Sequence, residues 1–137
     1  MMISTFLVAL ALQGSLDARY REHHCGDPQN QMDMNFCAAI AFERADSELN
    51  AAWRLTITAA RGTDREIDRR YDRRPTTEAK LREAQRAWII FRDAHCTVEG
   101  YDQARGGSME PMAYDGCRAR LTRERTRQLA GPPEPQQ

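Results

Sequence analysis

The sequence predicts an all-α fold, a small antiparallel helical bundle of three main helices stapled by two disulfides. Three observations predict it. Apolar residues recur at three- and four-residue steps in three separate segments, the signature of one buried helical face in each. No run alternates apolar and polar positions for long enough to make a strand. Four cysteines, Cys25, Cys37, Cys96 and Cys117, are an even number suited to two bridges.

A chain of 137 residues is one domain. Folding at this size buries about two-thirds of the unfolded surface, enough for a modest core. Twenty basic side chains balance twenty acidic ones, so no global charge draws the chain to nucleic acid or to an anionic membrane. Among the basic residues only Lys80 is a lysine, a coding bias that carries little physics.

At the start, "ISTFLVALAL" (residues 3 to 12) is an uninterrupted apolar or small run, broken by "QGSLDA". It is too short to span a bilayer and has the length of a signal-peptide core. Residues 1–18 are therefore expected to be a signal peptide cut after Ala18, with Gly14 the competing site and a buried N-terminal helix the alternative reading. No Lys or Arg precedes the run, and no cysteine follows it closely enough for a lipid anchor. The expected destination is periplasmic or secreted, an oxidising compartment in which the four cysteines pair.

The domain proper is expected over residues 19–130. After the turn "GDPQNQ", Met34, Cys37, Ala38, Ala41, Phe42, Ala45, Leu49, Ala52 and Trp53 mark one helical face running to about Arg61, with Gly62 as its stop. "TDREIDRRYDRRP" is a charge-dense, solvated stretch. Thr76 or Thr77 caps a second helix whose apolar face is Leu81, Ala84, Trp88, Phe91 and Cys96, as far as about Val98. "GYDQARGGSMEPM" is a loop by its glycines and proline. A third helix covers Tyr114 to Leu129, with Cys117, Leu121 and Leu129 on one stripe. "GPPEPQQ", residues 131–137, is a disordered tail, because its prolines cannot continue a helix.

Polar residues interrupt these apolar faces. Gln85 and Arg92 lie on the stripe of Trp88 and Cys96, Asp46 and Asn50 on that of Phe42 and Leu49, and Arg125 between Leu121 and Leu129. Laying the first two helices antiparallel brings Asp46 level with Arg92. An inward-facing guanidinium requires a carboxylate, because an isolated buried charge costs several kcal/mol. Asp46 is the carboxylate in the right turn, so a buried Asp46–Arg92 pair is expected, with Arg125 and Asn50 nearby. Its first meaning is a register-fixing structural network, ahead of a ligand site.

The same register decides the disulfides. Cys25 lies before a turn that folds the N-terminal segment back on the first helix, so Cys25–Cys37 is expected. Cys96 ends the second helix and Cys117 begins the third, so Cys96–Cys117 closes that hairpin. The rival Cys37–Cys96 fails on offset: Cys96 lies level with Phe42, about 7 Å along the axis from Cys37.

Enzymatic readings find little. There is no G-x-S-x-G, phosphate-binding glycine loop or H-E-x-x-H. His95 and Cys96 are adjacent on a helix and point about a hundred degrees apart. "HHC" at 23 to 25 and "HC" at 95 to 96 match no zinc spacing. Neither a metal nor a cofactor is expected, and the chain reads as a non-enzyme.

Three blocks, taken together, carry a resemblance. Cys37, Asp46, Leu49 and Asn50 stand in "CAAIAFERADSELN"; Gln85, Trp88, Arg92 and Cys96 in "LREAQRAWIIFRDAHC"; Cys117, Leu121, Thr122, Arg125 and Leu129 in "YDGC" and "LTRERTRQL". From Cys25 to Leu129 the chain resembles the lysozyme inhibitor LprI-type domain of bacterial envelope proteins. Some members are lipid-anchored, and this chain departs there. Trp53 stands where the family often has tyrosine.

The resemblance implies an exported helical domain and, for some members, inhibition of lysozyme through a protein–protein contact. An inhibitor must fill a cleft whose catalytic carboxylates leave room for substrate. The expected contact is an exposed loop with basic or hydrogen-bonding groups: "QARGGSME", with Arg105 and Ser108, or "REHHC" at the mature N-terminus. The alternative is a structural or adaptor module of the envelope that inhibits nothing. Nothing in the sequence fixes an oligomeric state. Export is checked directly: the intact mass from a periplasmic extract should be that of a chain beginning at Arg19, and a full-length cytoplasmic product would contradict it.

Overall fold

The computed structural model describes residues 3–131; Met1, Met2 and residues 132–137 of the expected disordered tail lie outside the described residues. Four helices follow in order: α1 (Ile3–Glu22), α2 (Gln31–Arg65), α3 (Thr77–Ala104) and α4 (Glu110–Ala130). Among the described residues there is no strand. The all-α class holds, and the count of three main helices is corrected to four.

The additional element is α1, which runs unbroken through Ala18. Its apolar run has no polar face, so no helical period marked it as a partner for the bundle. Near its end Leu16 is buried. Asp17 accepts from Arg44 at 2.6 Å, and Arg19 grips the Glu43 carboxylate at 2.7 and 3.0 Å. Beyond α1, Cys25 is bonded to Cys37 on α2, with their Cα atoms 5.4 Å apart.

Asn30 starts α2 by accepting from the Asp33 amide at 2.9 Å. Gly62 does not stop this helix, which continues to Arg65. One interior glycine costs about 1 kcal/mol, and Ile57 and Ala60 are buried in the turns before it. The charge-dense stretch then makes a corner, held by Asp68–Arg70 and Asp72–Arg74 pairs at 2.6 and 2.7 Å.

The corner delivers α3 with its first amides satisfied. Thr76 Oγ1 accepts from Ala79 N at 3.2 Å, and the Asp64 carboxylate, at the end of α2, accepts from Thr77 N at 2.8 Å and Glu78 N at 2.9 Å. Glu78 in turn is held by Arg61 and Arg82. At the other end α3 extends past Val98 into the segment expected to be loop. Gly100 is buried there, and a Cβ on it would sit 3.4 Å from Glu110 Cγ and 3.5 Å from the Glu110 carbonyl oxygen. Those are ordinary van der Waals distances, so the helices touch here without requiring a glycine. Only residues 105–109 remain as the connection.

Contacts along the chain fix the directions. Gln85 meets Arg125 and Cys96 meets Cys117, so α3 and α4 run antiparallel. Asn35 reaches Ser108 and Thr56 reaches Leu129, so α2 and α4 run parallel. Helix α4 packs on α2 and on α3 more extensively than those two pack on each other. The core is built of aliphatic and small residues: Ile40, Ala45, Leu49, Ile57 and Ala60 of α2, Cys96 of α3, Cys117, Ala119 and Thr122 of α4. Two residues assigned to the apolar face of the second helix, Ala84 and Phe91, are exposed. The inward face of α3 is instead Gln85, Arg92, Cys96 and Gly100.

The α2–α3 corner makes a prediction about acid. Two backbone amides, from Glu78 first and then Thr77, hold the Asp64 carboxyl below its ordinary value. The folded state thus prefers the ionised form. Its contribution is whole above the ordinary carboxylate pKa of about 3.9 and fades as pH falls towards the lower folded value. Urea midpoints measured from pH 6 down to pH 3 should fall less steeply for Asp64→Asn than for the native chain. Thr76→Ala should cost about 1 kcal/mol at neutral pH; no change at all would remove the cap from the account.

Candidate functional site

The polar residues on the inner faces meet at the junction of three helices. Phe42, Asp46 and Asn50 are spaced at i, i+4 and i+8 on α2, so they share a stripe. Trp88 and Arg92 come from α3, and Tyr114, Arg118, Thr122 and Arg125 from α4. Their planar groups alternate. The Arg118 guanidinium lies between the rings of Tyr114 at 4.4 Å and Phe42 at 3.7 Å. That of Arg92 lies between Phe42 at 5.0 Å and Trp88 at 5.1 Å, and Arg125 covers Trp88 at 5.9 Å. Three cations and three aromatic rings thus form one ladder, each cation facing the negative face of a ring.

Hydrogen bonds complete each rung. Arg92 Nε donates to Asp93 at 2.8 Å and its Nη1 to Thr122 at 3.3 Å. Asp46 lies 3.7 Å from the same Nη1 and accepts from Asn50 at 3.2 Å. Arg125 donates to Gln85 at 3.0 Å and to Gln128 at 3.1 Å. It meets no carboxylate there, and burial pulls its pKa below the ordinary arginine value. Arg118 is paired with Asp115.

All five residues expected in the network, Asp46, Asn50, Gln85, Arg92 and Arg125, are therefore brought to this junction. The expected form of the ion pair is corrected. The Arg92 side chain is 7% exposed, but that of Asp46 is 42% exposed, and Asp93 is the closer carboxylate. The pair is half-buried, because Asp46 lies at the rim while Arg92 crosses the interior. Asp93, Thr122, Arg118, Asp115 and Tyr114 were not foreseen. The available signal for Thr122 was its place three residues before Arg125 in "LTRERTRQL", which sets the two on neighbouring turns of one helical face.

This junction is a saturated interior. Among the described residues no buried side-chain nitrogen or oxygen lacks a partner, so the interior of the junction leaves no buried polar group open to a ligand. Nor does the His95, Glu99 and Cys117 cluster offer a metal site. The Cys117 sulfur is bonded to Cys96, with Cα atoms 5.4 Å apart, and Glu99 is held by Arg120 at 2.7 Å.

The two candidate contact segments differ. In "REHHC", His23 stacks on Phe36 with centroids 4.1 Å apart and lies 3.2 Å from Asp33, while Cys25 is in a disulfide. That segment is engaged with α2. The loop at 105–109 is presented outward, with Arg105 and Ser108 both exposed. It is nonetheless pinned. Asn35 donates to the Ser108 carbonyl at 2.9 Å, the Gly107 amide donates to the Ala104 carbonyl at 2.7 Å, and the Gly106 amide donates to Glu110. Gly106 has φ of 75°, a left-handed turn that favours glycine. The Arg105 guanidinium rests on the Tyr101 ring at 4.3 Å.

Comparison with known proteins adds two findings. Residues 19–129 match the family model described as lysozyme inhibitor LprI. The chain is also similar to an uncharacterized protein of Rhizobium meliloti (strain 1021), 47% identical over 116 residues that cover 82% of this chain and 81% of that protein. No solved structure matches the chain.

The asymmetry of the Arg92 pair sets an expectation. Arg92→Ala removes the central rung and two ring contacts, and should cost about 3 kcal/mol of unfolding free energy. Asp46→Ala leaves Arg92 paired with Asp93 and should cost under about 1 kcal/mol. Chemical denaturation of the two variants measures both; equal costs would mean that Asp46 is the principal counter-ion after all.

Proposed function

The chain belongs to the lysozyme inhibitor LprI family, and from that premise we propose that it is an exported bacterial protein that binds and inhibits a lysozyme. The family match begins at residue 19, directly after the expected cleavage at Ala18. Two disulfides suit an oxidising compartment. No helix among the described residues is long and apolar enough to cross a membrane. Cleavage after Ala18 would remove Leu16 and Asp17 from the α1–α2 contact. It would keep the Arg19–Glu43 pair, the Tyr20 ring under Arg44 at 4.5 Å, and the Cys25–Cys37 bridge.

One observation carries the inhibitory reading: the pinned loop that presents Arg105 and Ser108. Among the described residues no carboxylate pairs with Arg105, whereas the nearby Arg118 and Arg120 are held by Asp115 and Glu99. A lysozyme cleft holds two carboxylates spaced to admit substrate and water. An exposed guanidinium and hydroxyl on a loop already fixed in shape meet such a site without the entropy cost of ordering it.

The test is a titration of the mature protein against several lysozyme types, read by cell-wall lysis and by direct binding. Arg105→Ala and Ser108→Ala together should weaken inhibition at least about tenfold while leaving stability within about 0.5 kcal/mol. Undiminished inhibition would move the contact elsewhere. Failure to bind any lysozyme type would leave the adaptor module as the reading of the same fold.

A further inference from the structure

Helix α3 carries a second apolar stripe, on the side opposite its buried face. Ala87, Ile90, Phe91, Ala94, Val98 and Tyr101 recur at three- and four-residue steps. All six are exposed: Ile90 is 72% accessible, Phe91 56%, Val98 55% and Tyr101 39%. At 100° per residue these positions centre nearly half a turn from Gln85, Arg92, Cys96 and Gly100. Among the described residues no other helix covers them. A contiguous apolar stripe of this length on a small domain marks a contact surface.

We propose that this face pairs with the same face of a second copy, antiparallel, about a twofold axis at Ala94. The ends of the stripe argue for that occupant. Glu83 continues it one turn before Ala87, and Arg105 continues it one turn after Tyr101. Both are exposed. With Ala94 opposite Ala94 of the other copy, Ile90 falls opposite Val98, Ala87 opposite Tyr101, and Glu83 opposite Arg105. Twofold symmetry repeats each match. Small meets large at Ala87 and Tyr101, the small Ala94 lets the helices approach at the centre, and opposite charges close both ends. Parallel pairing would instead set Glu83 against Glu83 and Arg105 against Arg105.

The paired stretch spans about 33 Å of helix and would bury about 600 Å² per partner, the lower part of the range for specific interfaces. Association should therefore be of micromolar strength. The pairing is read on the protein alone and does not depend on the lysozyme reading.

Sedimentation equilibrium of the mature protein over a concentration series, from about 1 to 500 μM, should show a monomer–dimer equilibrium. Ala94→Glu should abolish it while the far-ultraviolet dichroism and melting temperature stay unchanged, since Ala94 is exposed. Glu83→Arg and Arg105→Glu should each weaken the dimer at least tenfold, and the double variant should restore it. A monomer throughout, or a dimer indifferent to Ala94→Glu, overturns the proposal. A dimer that the charge exchange fails to restore overturns the antiparallel register.

Discussion

The fold depends on how it keeps arginine inside. Ile40, Leu49 and Ile57 of α2 are buried, but the buried residues facing them from α3 and α4 are small, Cys96, Cys117, Ala119 and Thr122, so apolar burial alone joins the helices modestly. The larger contacts come from the ladder, in which Arg118, Arg92 and Arg125 alternate with Tyr114, Phe42, Trp88. A guanidinium suits this role because it is flat, weakly hydrated on its faces and able to donate at its edge while stacking. All three helices contribute: α2 a ring and a carboxylate, α3 a ring, a cation and the Asp93 carboxylate, α4 two cations, a ring and the Asp115 carboxylate. Shifting any helix by one residue would turn its ladder side chains about 100° off the seam, so the ladder fixes register as well as contact.

The disulfides act on the same geometry. Cys96 is one turn from Arg92, and Cys117 precedes Arg118. Their bridge holds α3 and α4 at the level where the ladder begins. Cys25–Cys37 anchors the segment after α1 to the start of α2. Each closed loop adds about 3 kcal/mol in the chain-entropy model, a large share of the 5–15 kcal/mol typical of a domain. The covalent staples thus offset a core of modest volume.

Much of this was legible in the sequence, and the failures have physical reasons. Apolar periodicity located three helices, and the interrupting Asp46, Gln85, Arg92 and Arg125 marked the junction, because a charge on an apolar face must find partners there. Helix ends lie beyond the glycines that suggested a stop: Gly62 sits inside α2 and Gly100 inside α3, because a single glycine costs a helix only about 1 kcal/mol and packing of the neighbouring turns outweighs it. Asp93 was invisible because neighbouring helical positions diverge by about 100°, while a long arginine can fold back to reach one. Phe91 was assigned inward because α3 is apolar on two sides, and hydrophobicity cannot say which side faces the core. The polar residues could: Gln85, Arg92 and Gly100 trace the buried face better than the aromatic ones.

That inversion, polar inside and apolar outside, bears on where α3 can do chemistry. On the inner face every buried polar side-chain atom among the described residues has a partner, so the groups left for binding lie at the rim and on the surface. Two surface features share one residue: Tyr101 ends the outer stripe and also supports the Arg105 guanidinium at 4.3 Å. A second copy on the stripe would engage Arg105, and a partner on the loop would need it free. Occupation of one then excludes the other, and the affinity for a partner is reduced by the fraction of chains whose loop is free. Below the dissociation constant of self-pairing that fraction is close to one, and the loop acts unhindered. Above it, capture of a partner must draw on monomers, so partner binding would dissociate the pair by mass action.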